Sequence, residues 1–542
     1  MIRKQICRAR PIGKKDAAVM DTQKETLAGM IAGVFELGQA PRGPSPYIVL
    51  GCTDAGLYCR TIGGCITDKV RKSENISINI FDICAKKYTF LDLSWIMCYI
   101  EVDTKEIEKD GFMKRKLMEE FLAWKRQPGR MPLLLYGARQ VGKTYLLKEF
   151  AASCYKNYVY ANFDVDSDLI PYFEGSISPE RIVRVLEAYY HTRIIPEETL
   201  IIFDEIQQCE RALSCLKYFC EDAPEYHVAA AGSLLGVAIN RNQYAFPVGK
   251  VYMKTMYPMD FEEFLWALGE QLLADEIRDC FLHDTAMAEP LHEKALRLYD
   301  QYLIIGGMPA VVAAYRTPGS IEPQVLQNMI LSAYISDMAK YCSNSQSVKN
   351  METFESIPMQ LAKNNQKFML KHIKSGARAS THGDSIEWLA MSGLALRCYR
   401  CTQPVLPLDI NREAGCFKLY MSDAGLLSAR LHMDLQKLAS RDSISSNYLG
   451  AMTENYVAAQ LIASNHSLYY WESDYTAEVD FLLEGNAGVI PLEVKSGENV
   501  RARSLSVFMG KYQPAYAVRI SRKNFGFENN IKSVPLYGAF ML

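Results

Sequence analysis

LLLYGARQVGKT, running from Leu133 to Thr144, decides how the rest of the chain is read. Leu133–Tyr136 is a short unbroken apolar run, the mark of a strand covered on both faces. Gly137 to Thr144 fits G-x-x-x-x-G-K-[ST], and YLLKEFAASC directly after it has the composition of a helix. Strand, glycine loop and helix in this order make an anion cradle. Glycines let the backbone turn tightly, so successive N–H groups aim at phosphate oxygens beside the positive end of the helix. The candidate cradle is Gly137, Ala138, Arg139, Gln140, Val141, Gly142, Lys143 and Thr144. Lys143 brings a compact positive charge to the β- and γ-phosphates and Thr144 offers a hydroxyl to Mg2+, so the expected ligands are ATP and magnesium.

Downstream, LIIFDEIQ (Leu200–Gln207) ends an apolar strand in two acids. A carboxylate there reaches the metal shell, so Asp204 is expected to hold Mg2+ through water. Glu205 is expected to orient and deprotonate the attacking water. HVAAAGSLLG places Ser233 just past the next strand, where its hydroxyl either holds the γ-phosphate or lytic water or caps a helix.

Around these motifs the pattern is α/β. The apolar runs Leu133–Tyr136, Tyr158–Phe163, Leu200–Phe203, His227–Gly232 and Val251–Met256 alternate with helical stretches, which predicts a mostly parallel sheet. Ser178-Pro179 opens one helix, Ser as cap and Pro in the first turn. Phe261 to Ala339 reads as helical with a break at Gly306-Gly307, and Ser356 to Leu396 reads as helical with short elements. A helix over Leu449–Ser464 then leads into strands at Tyr469–Trp471, Val479–Leu483 and Val489–Val494.

Composition sets the frame. The 542 residues are 49% hydrophobic and 23% charged, which excludes collagen, mucin-like stalks and wholesale disorder. The 60 Lys+Arg against 62 Asp+Glu leave a net charge of −2, which excludes a protein basic all over but not a local basic face. The 15 Cys, an odd and scattered set, read mostly as buried small hydrophobes in a reducing compartment. Cys398 and Cys401 form one C-x-x-C with no second pair nearby, so no zinc site is expected. MIRKQICRARPIGKK has no apolar core behind its charges and is not a secretory signal. The Tyr302–Tyr315 run is too short to span a bilayer, so a cytoplasmic protein without membrane contact is expected. Residues 1–112 carry no motif. Met113 opens MKRKLMEEFLAWKRQPGRM like a natural beginning, so the upstream part is either an extension of the reading frame or a small extra domain.

Leu361–Ser380 carries Lys363, Lys367, Lys371, Lys374 and Arg378 and no acid. Every fourth position being Lys places three of them on one face if the stretch is helical. Such like charges repel, so the segment is either a solvated face or a surface for DNA phosphates.

The nucleotide motifs resemble those of the AAA-type ATPases. That resemblance implies that the Ser233 strand lies between the phosphate-loop strand and the Asp204 strand, with Ser233 over the γ-phosphate. The narrower resemblance is to predicted prokaryotic ATPases in which such a module precedes a domain of unknown function with a nuclease-like core. It rests on YGARQVGKT, FDEIQ, AGSLLG, YPMDFEEF, GGMPAVV, FKLYMSDAGLL and LEVKSG, from about Met113 to the C-terminus. It implies an ATPase domain over 113–265, a helical lid over 266–345, a winged-helix-like segment over 346–435 and a nuclease-like domain over 436–542, with homo-oligomerisation among the expected partnerships. Family members often carry Gly-Arg where this chain has Gly249-Lys250, which leaves Lys250 or Arg241 as the candidate cation for a neighbour's ATP.

TENYVAAQL, AEVDFLLEG and IPLEVKSG together resemble the PD-(D/E)XK nuclease core. On that resemblance Asp480 is the motif's Asp, Glu493 and Lys495 are its (D/E)-x-K, and Glu454 is the acid of the preceding helix. Glu493 and Lys495, two apart in a strand, point to one face. Asp480 on the adjoining strand can meet Glu493, and paired carboxylates call for a cation such as Mg2+.

Overall fold

A computed structural model describes residues 48–53, 56–61, 64–65, 113–233, 247–363, 366–440, 444–473, 477–497 and 503–542. The chain divides into two compact units, Met1–Gly111 and Phe112–Leu542. In the first, strands Ile48–Thr53, Gly56–Thr61 and Gly64–Cys65 form an antiparallel sheet.

The second unit opens with helix α1 (Leu117–Arg126) and then alternates strand and helix: β1 (Leu133–Tyr136), α2 (Lys143–Cys154), β2 (Asn157–Asn162), α3 (Pro179–Tyr190), β3 (Thr199–Asp204), α4 (Glu210–Asp222), β4 (His227–Gly232) and β5 (Tyr252–Thr255). The five strands are all parallel in the order β2-β3-β4-β1-β5. β4 therefore lies between β1 and β3, as the AAA resemblance implies. The unbroken apolar runs have the expected cause. Leu133, Leu135, Ala229 and Ala231 pack on one side, with Phe121, Trp124, Leu146 and Phe150 of α1 and α2. Leu134, Val228 and Ala230 pack on the other, with Ile182, Leu186, Leu213 and Leu216 of α3 and α4. The two-residue strand period thus sends apolar groups to both faces, and both are covered. Ser178 stands in extended conformation before α3, with Pro179 in the first turn.

The helical stretch comprises α5 (Phe261–Ala267), α6 (Gln271–His283), α7 (Glu289–Ile305), α8 (Pro309–Arg316), α9 (Pro323–Tyr341) and α10 (Asn344–Leu361). The break at Gly306-Gly307 is a packing requirement. A Cβ on Gly307 would lie 1.9 Å from the carbonyl oxygen of Met259, whose N–H donates to Gly307 O at 2.7 Å. The phrases YPMDFEEF and GGMPAVV are therefore pressed backbone to backbone.

Beyond α11 (Ala379–Met391), the expected helix gives way to strand β6 (Ala395–Cys401), which pairs antiparallel with β7 (Arg412–Met421). After α12 (Ala424–Arg430), α13 (Leu435–Ala439) and α14 (Ser446–Ala463) come β8 (Tyr469–Glu472), β9 (Glu478–Gly485), β10 (Gly488–Val494), α15 (Arg503–Tyr512), β11 (Ala517–Ser521), β12 (Gly526–Glu528) and β13 (Ile531–Pro535). These strands form one mixed sheet in the order β7-β6-β8-β9-β10-β11-β13-β12. Every residue of α14 from Ala451 to Leu461 is buried, so this helix is enclosed on all sides. One apolar core runs from α1 and α2 through α7 and α14 into the second sheet. Cys398 and Cys401, three apart on β6, face opposite sides and join different apolar clusters. Among the described residues no helix is long and apolar enough to cross a membrane.

Candidate functional site

The loop between β1 and α2 is shaped by backbone conformations that glycine tolerates. Gly137 has φ +145°, and a Cβ there would stand 2.1 Å from Met256 O, so only glycine fits between the loop and the end of β5. Lys143 is buried, and its ammonium donates to the carbonyls of Gly137 (2.9 Å) and Ala138 (2.8 Å). Burial lowers its pKa to about 8, opposed by the charges of Glu205 and Asp204. Thr144 donates through Oγ1 to Asp204 Oδ2 at 2.7 Å, which brings the loop's hydroxyl and the strand-end carboxylate to one point. Both are hard oxygen donors of the kind Mg2+ takes.

Two further residues organise this point. Tyr160 on β2 donates to the same Asp204 oxygen at 2.8 Å. Burial, with Asp204 beside it, raises the Tyr160 phenol well above its ordinary range. Glu205 sits in the left-handed region at φ 49°, a strained conformation for a non-glycine residue of the sort that collects at functional sites. Its N–H donates to Asp204 Oδ1 at 3.0 Å, and Ser233 Oγ donates to Glu205 Oε2 at 3.4 Å. Acid, neighbouring acid and hydroxyl from adjacent strands thus converge beside the phosphate loop.

The loop is also held from outside. Arg115, buried just ahead of α1, donates to Val141 O (2.9 Å), Tyr257 O (2.7 Å) and Glu263 Oε2 (3.0 Å). Glu263 and Asp260 form a capping box at the start of α5, and Lys116 pairs with Asp260 and Glu262. The acidic phrase YPMDFEEF is therefore the dock for the basic MKRK. Helix α9 lies along the phosphate end: Asp337 pairs with Arg139, Tyr334 donates to Arg139 O at 3.1 Å, and Gln208 donates to Tyr341 at 2.9 Å. A small cavity there is lined by Arg139, Ser233, Tyr334, Asp337, Trp388 and Leu394. Lys250 pairs with Glu221 of its own chain at 2.9 Å, and Arg241 lies outside the described residues.

In the second sheet, Asp480 on β9 and Glu493 on β10 occupy the paired strands of a hairpin, and the Val494 N–H donates to Asp480 Oδ2 at 2.7 Å. Glu493 pairs with Lys495 at 2.7 Å, and its other carboxylate oxygen is buried without a hydrogen-bond partner. Burial pushes the Asp480 carboxyl up to about 8. The charge of Glu454 adds to this, and Lys418 and Lys495 oppose it. Lys418 is unforeseen from the sequence. It comes from β7 with its side chain fully buried, and it pairs with Glu454 (2.8 Å) and Glu478 (2.6 Å). Tyr420 also donates to Glu454. The one sequence signal for this residue is a lysine inside the otherwise apolar run FKLYM. Among the described residues, no three His, Cys, Asp or Glu side chains gather as a metal site.

The basic segment is not a helix. Helix α10 ends at Leu361, the next regular element among the described residues is one 3-10 turn at Leu370–His372, and α11 begins at Ala379, so the four-residue lysine spacing defines no common face. Lys367 pairs with Glu472 and Lys374 with Glu352. Lys363, Lys371, Lys374 and Arg378 are exposed.

The loop between β1 and α2 and the acid at the end of β3 have the layout of a P-loop module. Residues 129–265 match the family model described as an AAA domain. Residues 296–437 and 449–538 match two models described as domains of unknown function, DUF8612 and DUF4143. No curated protein matches the chain. Among solved structures, a Walker-type ATPase of Pyrococcus abyssi is 12% identical, with 59% of this chain and 96% of that one covered at a TM-score of 0.37. The ORC2 protein of Aeropyrum pernix is 12% identical, with 67% and 96% covered at a TM-score of 0.27.

Proposed function

We propose that this chain binds and hydrolyses ATP and uses the nucleotide to control a nucleic-acid-binding C-terminal region. The observation that carries the reading is the contact of Thr144 with Asp204 at 2.7 Å, with Glu205 and Ser233 beside it. The triphosphate would lie on the N–H groups of Gly137–Thr144, with Lys143 leaving its two carbonyls for the phosphates. Thr144 and Asp204 would hold Mg2+, which when bound spreads the charge of the β- and γ-phosphates. Glu205 takes the proton of the attacking water, the bond to the γ-phosphorus forms, and ADP leaves with the old bridging oxygen.

The second sheet is the other half of the proposal. A PD-(D/E)XK-like core is supported by Asp480 and Glu493 on paired strands with Lys495 beside them. Exposed Lys363, Lys371 and Arg378 offer contacts to DNA phosphates, while Lys374 is held by Glu352. A second reading, in which this core grips DNA without cutting it, is favoured by the ammonium of Lys418 among the carboxylates.

The test separates binding from turnover. At ATP about 100-fold above Kd, binding adds about 2.7 kcal/mol of stability, and Lys143→Ala should remove most of the resulting rise in melting temperature. Glu205→Gln should keep that rise and lower turnover by about 10²–10⁴. Equal thermal shifts in wild type and Lys143→Ala would refute the binding site, and unchanged turnover in Glu205→Gln would move the base elsewhere.

A further inference from the structure

The carboxylates of the second sheet are met by cations that belong to the chain itself. An ammonium has three N–H groups to satisfy. Lys418 has three oxygens on it: it donates to Glu454 Oε1 at 2.8 Å and Gln366 Oε1 at 3.2 Å, and it pairs with Glu478 Oε1 at 2.6 Å. Its side chain is 0% exposed, and the Tyr470 ring lies 5.2 Å from the nitrogen. Glu454, the acid expected from the preceding helix, has its Oε1 shared between Lys418 and the Tyr420 hydroxyl. Asp480 spends one oxygen on a backbone N–H, and Glu493 spends one on Lys495. A fully buried ammonium with three oxygen partners is a seated group, and a dication entering its neighbourhood would meet like charge in a medium of low dielectric. The donor set therefore does not fit a divalent cation as it stands.

We infer that Lys418 is a built-in cation seated between the carboxylates of Glu454 and Glu478, with Asp480 on the neighbouring strand pair, so that this centre takes no divalent metal and does not cut phosphodiesters by the metal-assisted route. The inference rests on reading the second sheet as nuclease-like. The ammonium contributes a single charge with no open coordination position. It can hold the carboxylates together, but it cannot polarise a phosphoryl oxygen or lower the pKa of a bound water as a metal does. The second sheet is then left without metal-assisted chemistry, and hydrolysis stays with the parallel sheet that carries the phosphate loop.

The test uses Mn2+ as the probe, on the full chain without nucleotide and in an Asp204→Ala background that silences the phosphate-loop site. Binding is read by calorimetry and by the electron paramagnetic resonance of free Mn2+. The background chain should bind no stoichiometric Mn2+ at up to millimolar concentration. Lys418→Met should bind one ion and gain melting temperature with it. The single variant strands Glu454 in the interior, so it is paired with Lys418→Met/Glu478→Gln, which removes one cation and one anion together. Both should gain the site, with affinity rising at least 10-fold over the background chain, and Asp480→Asn added to either should abolish the gain. Stoichiometric Mn2+ bound to the background chain and lost on Asp480→Asn would overturn the inference and leave the nuclease-like reading standing. Failure of the charge-balanced double variant to bind would overturn both the role of Lys418 and the nuclease-like reading.

Discussion

Arg115→Met removes the guanidinium that ties the phosphate loop to the acidic start of α5 while keeping most of the side chain's bulk. Three hydrogen bonds are lost at once, to Val141 O, Tyr257 O and Glu263 Oε2. The greater cost lies in the carboxylate left behind. Glu263 is 5% exposed, and burial already raises its carboxyl above the ordinary range with Arg115 in place. Breaking a buried ion pair by removing one partner costs about 3–5 kcal/mol. Here the Lys116 N–H at 2.7 Å and the capping box still serve Glu263, so a loss of about 3 kcal/mol is expected. Chemical denaturation followed by circular dichroism measures it, and a double-mutant cycle with Glu263→Gln isolates the pair. The coupling should be about 2 kcal/mol or more, since residues in one buried network are strongly non-additive. A functional effect should accompany it. Val141 lies inside the cradle, so loosening its carbonyl should weaken ATP binding by about 10-fold, equivalent to about 1.4 kcal/mol. A variant within about 0.5 kcal/mol of wild type and with zero coupling to Glu263 would refute the clamp.

Two other outcomes follow from the geometry. His227, buried at the start of β4 against the Tyr155 hydroxyl (2.7 Å), has its pKa lowered to about 3 by burial, with Arg130 and Lys125 adding to the effect. Between the unfolded value of 6.5 and about 3 the unfolded chain binds a proton that the folded chain refuses. The folded state therefore loses about 1.4 kcal/mol per pH unit on acidification from this residue, and the loss is absent above pH 6.5. His227→Gln should flatten the acid limb of a stability–pH curve, and an unchanged slope would exclude the residue. For DNA, Lys363 and Lys371 are exposed and Lys367 is paired to Glu472. Lys363→Ala/Lys371→Ala should then lower the slope of log K against log salt by about two units and Lys367→Ala by much less, on duplex titrated over a salt series. Equal effects would return the segment to a solvated loop.

Much of the parallel sheet β1–β5 and its helices was legible because its information is local. The five apolar runs match strands to within a residue or two, and the break at Gly306-Gly307 and the start of α3 fall where glycine and proline place them. The hairpin β6–β7 was not legible, because Ala395–Cys401 mixes Arg397 and Arg400 with apolar residues and shows neither a clean two-residue nor a helical period. Its strands are made by pairing with each other and with β8. The lysines of 363–378 failed as a helical face for a related reason: their spacing suits a helix, but that region leaves helical structure after α10, and Lys367 turns to Glu472 on β8.

The sequence by itself determined the phosphate loop, the Asp204-Glu205 pair and the order of elements around them, because each depends on glycine conformations, strand period or residues adjacent in the chain. Tertiary structure alone decided which charges meet. Arg115 finds Glu263 across 148 residues, and Lys418 finds Glu454 across 36. A buried charge must have a partner, but the partner can come from any element that the packing brings within about 3 Å, and no local pattern records which one it is.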